Sequence, residues 1–281
     1  MRNILIPTDF SKNAHEALFY TIKLFKNEPC TFHILHTFEV NTPIFTSRLN
    51  TVKGKLLYNE KLTAAQNQMN EILVSVSIIS EEEAHSFETL IFSKPLIETI
   101  HKTIQNKKID LVVMGTKGTS GLKEKLFGSN TVKVLKSIQN TPLLIVPLAI
   151  DKFTLDRIAF ATDFKNGYTK RSLATLKEFC ELHDGEVETI HVDNLEPYTI
   201  TERNNIQVLE KGLQNTEYNV SFISKTKSTE KHILEYIDEV QDFDLLAMIK
   251  YQHDDFYNWM NEPVINKLGY HTKIPFLVIP E

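Results

Sequence analysis

DLVVMGTKGTSGLKEKLFGSNT, residues Asp110 to Thr131, is the stretch that decides the fold. It opens on the apolar run Leu111-Val112-Val113-Met114, short enough and branched enough for a buried strand. It closes on Ser129, where a helix carrying Val132 and Leu135 on one side begins. Of the nine glycines in the chain, four fall in this one loop: Gly115, Gly118, Gly121 and Gly128. A glycine-rich passage from a strand end into a helix start is how a chain builds an anion cradle. Backbone N–H groups can approach an oxyanion closely there, and the helix N-terminus adds partial positive charge.

The spacing is Gly115, two residues, Gly118, nine residues, then Gly128-Ser129. No Gly-Lys-Ser/Thr follows, so this is not a P-loop. The G-x-G opening of the dinucleotide fingerprint is missing, and the loop comes late in its domain.

Working outward, Arg2 to Pro7 reads as a strand that ends at Pro7 and Asp9. A helix follows with Ala14, Leu18, Ile22 and Phe25 on one face. Thr31 to Thr37 and Phe87 to Phe92 read as further strands. Helical patterns carry Leu62, Ala65, Met69 and Ile72, then Ile97, Ile100 and Ile104. A long loop is expected from Glu39 to Gly54. The first half closes with the strand Leu143 to Val146, between Pro142 and Pro147. Strands and helices alternate throughout. That predicts an α/β fold with a five-stranded parallel, doubly wound sheet in the order 3-2-1-4-5, with helices on both faces. Strands one and four are then neighbours at the switch point, and Pro7-Thr8-Asp9 meets Gly115 in one crevice.

The pattern recurs at the period of a whole domain. Arg157 to Phe164, RIAFATDF, echoes the N-terminal ILIPTDF. Asp244-Leu-Leu-Ala-Met248 echoes Asp110-Leu-Val-Val-Met114, and Ile274 to Pro280 echoes Thr141 to Pro147. The reading is two tandem domains, 1–149 and 151–281, with almost no linker. Each ends in an apolar strand bracketed by prolines. Left uncovered, such an edge invites aggregation, so Leu143–Val146 is expected to pair with Phe276–Ile279 inside the chain.

The totals narrow the classes. With 281 residues, 42% of them apolar, the chain can bury two cores. A formal charge of -5 argues against a general nucleic-acid binder. No apolar run reaches the length of a bilayer span. Pro7 and Asp9 interrupt the N-terminus where a signal peptide would stay apolar. Cys30 and Cys180 belong to no Cys-x-x-Cys pair and read as buried side chains. The expectation is a cytoplasmic protein that contacts neither membrane nor nucleic acid.

The glycine loop, with Met114 before the first glycine and Gly128-Ser129 opening the last helix, resembles the nucleotide loop of the universal stress protein family. The resemblance covers both halves, in a tandem two-domain form. It implies an adenine-nucleotide ligand, ATP or AMP, and pairing of the two domains through their last strands. It also implies roles for individual residues. Pro7, Thr8 and Asp9 shape the ribose and adenine end, and Thr37 offers backbone groups to the adenine edge. Met114, Gly115, Thr116 and Gly118 line the ribose and phosphate path. Gly128, Ser129, Asn130 and Thr131 hold phosphates through N–H groups and hydroxyls. Mg²⁺, if present, rides on phosphate oxygens, with no resident metal site. His36 and His191 recur at matched positions and read as packed, hydrogen-bonded histidines.

The second half has lost the cradle. Ile249 stands where Gly115 does, and Gln252 where Gly118 does. Asn261-Glu262-Pro263 replaces Gly128-Ser129-Asn130. Side chains block backbone approach, Pro263 removes an N–H, and Asp254, Asp255 and Glu262 repel an anion. This half is expected to bind no triphosphate and to act as a pseudo-dimer partner. The run His253 to Met260 reads as a loop packed on its own domain, with metal ligation or partner docking as alternatives.

Three functions compete. The first is a nucleotide-binding regulator of a stress response, with a protein partner of unknown kind. The second is a slow Mg²⁺-dependent ATP hydrolase. Against it, neither loop carries an arginine or a recognisable general base, so no catalytic residue is assigned. The third is a structural or interaction module that binds nothing, against which the intact first loop weighs. A nicotinamide dehydrogenase fits poorly, because PTDFSKN at the first strand turn lacks glycine.

Overall fold

The computed structural model describes residues 1–40, 52–79, 85–116, 128–193, 197–240, 242–251 and 274–281. The first half runs β1 (Arg2–Pro7), α1 (Lys12–Leu24), β2 (Cys30–Thr37), α2 (Val52–Ile79), β3 (Ser86–Phe92), α3 (Leu96–Lys107), β4 (Leu111–Gly115), α4 (Ser129–Ser137) and β5 (Leu143–Val146). The second half runs β6 (Arg157–Ala161), α5 (Lys170–Glu181), β7 (Glu186–Asp193), α6 (Ile200–Gly212), β8 (Tyr218–Ser224), α7 (Thr229–Val240), β9 (Leu245–Lys250) and β10 (Phe276–Pro280).

The strand order is β3-β2-β1-β4-β5-β10-β9-β6-β7-β8. Each half therefore has the order 3-2-1-4-5, and all pairings within a half are parallel. The halves join at β5 and β10, the one antiparallel pair among the described residues, in the register Phe276↔Ile145, Leu277↔Leu144 and Val278↔Leu143. Two sheets become one ten-stranded sheet. The apolar edge that each half would present is buried by the other, which answers the liability of an unpaired strand. The prolines fit this arrangement: Pro142 and Pro147 flank β5, and their missing N–H groups interrupt no rung of the ladder.

The sheet is covered on both faces, so its central strands are apolar throughout instead of alternating. The pleat divides them. Ile4 and Ile6 face α1 and α2, packed with Leu18, Ile22, Met69 and Ile72. Leu5 faces the other side with Ile100 of α3 and Leu135 of α4. Both clusters continue through β5 and β10 into the second half, taking in Phe160 and Phe179 on one face and Ile190 and Met248 on the other. The helices meet across the seam as well. Phe25 packs edge-on against Phe179 with ring centroids 6.1 Å apart, and Arg2 Nη2 donates to Glu178 Oε2 at 3.5 Å.

Local chemistry sets where the helices start. Ser11 caps α1 by accepting from the Ala14 N–H at 3.3 Å. Thr169 with Ser172, and Thr199 with Glu202, form capping boxes on α5 and α6. One expectation needs correction. The predicted loop to Gly54 ends earlier, because α2 already includes Val52, Lys53 and Gly54. The first strand ends at Pro7, as its sequence reads. Gly118, Gly121, Gln252 and the 253–263 segment lie outside the described residues.

Candidate nucleotide site

β1 and β4 are adjacent and their chains continue in opposite directions along the sheet, β1 toward β2 and β4 toward β5. A crevice of about 430 Å³ opens at their carboxyl ends. This is where a doubly wound sheet takes its ligand.

One wall is the turn after β1. The Thr8 hydroxyl accepts from the Phe10 N–H at 3.0 Å, and Asp9 Oδ1 accepts from the Ser11 N–H at 3.1 Å. Phe10 sits at φ 63, the left-handed region, stabilised by these two side-chain bonds. His36 Nδ1 lies 2.9 Å from the Thr8 carbonyl, so that nitrogen carries the proton and donates. The Phe10 ring lies on the imidazole with centroids 4.3 Å apart. Burial holds the His36 pKa below the ordinary histidine value; the Thr8 carbonyl and Asp9 oppose this. His36 is thus a neutral brace under the turn.

The opposite wall is the start of α4. Its N-cap is Gly128, which has no side chain to accept from the first amides of the helix. The Gly128 N–H itself donates to the Thr116 carbonyl. Ser129 and Asn130 are exposed. The floor is Met114 and Gly115. Gly115 is required by a close approach: a Cβ there would stand 2.8 Å from the Asn13 carbonyl oxygen and 2.6 Å from Asn13 Oδ1.

Most of the expected residues therefore converge. Pro7, Thr8, Asp9, Thr37, Met114, Gly115, Gly128, Ser129, Asn130 and Thr131 all line the crevice. Two hydroxyls depart from expectation. Thr131 is buried and its Oγ1 donates to the Gly115 carbonyl at 2.9 Å, tying helix to strand. Thr116 is also buried, with its hydroxyl toward Asn13 Oδ1 at 3.4 Å and its N–H on the Val146 carbonyl. Ala14, His36, Glu39 and Leu96 line the crevice too. Sequence reading had treated Ala14 and His36 as packing residues, because neither Ala nor His carries a loop signature.

The second half keeps the same turn. Thr162 and Asp163 accept from the Phe164 and Lys165 N–H groups at 3.3 and 3.0 Å, Phe164 sits at φ 58, and His191 Nδ1 reaches the Thr162 carbonyl at 3.1 Å. Its crevice measures about 240 Å³, with Ile190, Val192, Met248 and Ile249 among its lining and an Asp193–Lys165 ion pair of 3.2 Å at its edge. The difference lies in the helix start. Ser11 caps α1 two residues after Asp9, whereas Thr169 caps α5 six residues after Asp163. β9 carries a buried Ile249 at the position where β4 carries Gly115.

Two doubly wound halves joined through their last strands, each with a crevice at its switch point, define a class, α/β proteins of tandem doubly wound form. Within that class the chain belongs to the universal stress protein family, whose model matches residues 1–147. The Universal stress protein MJ0577 of Methanocaldococcus jannaschii is 30% identical over 158 residues, covering 52% of this chain and 94% of the relative. A solved universal stress protein from Archaeoglobus fulgidus superimposes with a TM-score of 0.66 at 19% identity, over 99% of this chain and 96% of that one. A functionally unknown protein from Pseudomonas aeruginosa gives 0.62 at 13% identity, over 100% and 92%. These two extend the likeness of fold across both halves. Among the described residues no helix is long and apolar enough to cross a membrane.

Proposed function

We propose that the chain is an adenine-nucleotide-binding stress-response regulator, holding ATP or AMP in a first domain, 1–149, with a second domain, 151–281, as its paired partner. One observation carries this reading: the glycine-capped start of α4 faces the β1 turn across the switch-point crevice. The amides of Ser129 and Asn130 suit phosphate, and the Thr8–Asp9 turn suits a sugar, whose hydroxyls a carboxylate accepts from. The Thr37 main chain and the Met114 side chain suit a planar base. Mg²⁺ would be held by phosphate oxygens.

Regulation is favoured over hydrolysis by the described lining, in which the histidine is braced on Thr8 and no arginine or lysine appears. Phosphoryl transfer needs a positioned nucleophile and cationic stabilisation. The ligand would act by differential affinity for two states of the chain or of its partner. Isothermal titration with ATP tests the reading. One site per chain is expected, and two equivalent sites or none would refute it.

A further inference from the structure

α4, which presents its N-terminus to the proposed phosphate end, is held at its other end by a residue of the second half. Lys250, the last residue of β9, extends its ammonium across the seam. Its Nζ donates to the carbonyls of Leu135 at 2.7 Å, Ile138 at 2.8 Å and Lys136 at 3.3 Å. The final turn of a helix leaves carbonyls without intrahelical partners. Here the Ile138 N–H takes Val134, and Lys250 takes the next two together with that of Ile138 itself. A cation at this end also matches the negative pole of the helix.

The two halves differ at this position. Pairing of Gly115 with Val146 and of Ile249 with Ile279 makes Thr116 the counterpart of Lys250. Thr116 bonds within its own half, through Asn13 and Val146. Lys250 alone of the pair crosses over. Burial pushes its pKa down to about 8, so the three carbonyls stand in for the water that the ammonium gives up. Lys250 also sits between Ile249 and Tyr251, both of which line the second crevice. The same strand end thus faces one crevice and grips the helix that serves the other.

We propose that Lys250 is a positioning residue for the phosphate end of the first crevice, through which the second half sets the first half's affinity for nucleotide phosphates. The inference rests on the nucleotide reading above. α4 has nine residues, ~13 Å of helix, too short to hold its orientation alone. With its C-terminus tied down, its amides are pre-ordered for phosphate; without Lys250 that ordering is charged against binding. The base and sugar end, built from β1, β2 and β4, does not depend on α4's last turn.

The test compares Lys250→Met, which removes every donor, with Lys250→Gln, which keeps two N–H groups. ATP and adenosine affinities are measured on the full chain, with amide exchange across α4. The expected order of ATP affinity is wild type, then Gln, then Met, with a loss of about tenfold for Met. Adenosine affinity is expected to stay constant, and exchange to quicken in α4. Retained adenosine binding shows that the variants are folded; if Met does not fold, Gln still reports. A wild type that binds ATP beside variants that bind it equally well would overturn the inference. So would equal losses for ATP and adenosine. A wild type that binds no ATP would instead overturn the nucleotide reading on which it rests.

Discussion

Gly115 and Asn13 touch so closely that a Cβ on the first would lie 2.8 Å from the carbonyl oxygen of the second. That contact brings the start of α1 against the end of β4 and shapes the floor of the first crevice. A side chain there forces backbone to move. Gly115→Ala should cost about 1–3 kcal/mol by overpacking, and Gly115→Ile more. Urea denaturation monitored by circular dichroism checks this. An unchanged midpoint would mean that α1 shifts freely and that the close approach has no consequence.

Gly128→Asp separates stability from binding. The new carboxylate at the N-cap accepts from the first amides of α4, so thermal stability should hold or rise by a few tenths of a kcal/mol. The same carboxylate occupies and repels what a phosphate would need. ATP affinity should fall at least ~10-fold while adenosine binding persists. Titration calorimetry beside a thermal melt reads both, and parallel loss of both ligands would point to a purely structural glycine.

The seam between the halves should make unfolding a single event. Leu144 and Leu277 face each other across β5 and β10, both with no exposed surface, and the apolar clusters run through them. One transition is expected for the wild type by calorimetry and by circular dichroism. Leu277→Ala should cost about 2–5 kcal/mol and broaden or split that transition. Two separate transitions in the wild type would show that the shared sheet does not couple the halves.

Stability should fall on mild acidification. Burial lowers the pKa of His15, His33, His36 and His183 from the ordinary value of 6.5. These groups bind protons more readily unfolded than folded, so stability is full above 6.5 and declines as pH drops toward their folded values. Glu88 adds a second loss at lower pH. The Lys107 hydrogen bond, then His33, hold its carboxyl below the usual range, and that contribution disappears as pH falls through the folded value. Its partial exposure keeps the effect small. Denaturant midpoints at pH 7.5, 6 and 5 check the order, and a midpoint that rises on acidification would contradict it.

Much of this was legible from residues 110–131 and the echo of ILIPTDF in RIAFATDF. Buried parallel strands are near-continuous apolar runs, so β1, β4, β5, β6, β9 and β10 declare themselves, and handedness rules then leave few orders. The crevice followed, because Pro7–Asp9 and Gly115 must meet where β1 and β4 are neighbours. Side-chain direction was not legible. Thr116 and Thr131 look like phosphate ligands in a string of letters, yet both hydroxyls turn inward to tie α4, β4 and α1 together. The late start of α5 was hidden because Lys165-Asn-Gly-Tyr168 carries no strong breaker beyond one glycine; the Thr169 capping box decides it. Lys250 was invisible for a different reason. Its partners are more than a hundred residues away in the chain, and only the antiparallel joining of β5 to β10 brings them within reach.

The most direct test is a crystal structure of the full chain grown with ATP. The account predicts one nucleotide per chain, with phosphates on the α4 N-terminus beside Gly128 and Ser129 and the sugar against Thr8 and Asp9. Nucleotide seated in the crevice of Met248 and Ile249, with the first crevice empty, would contradict it.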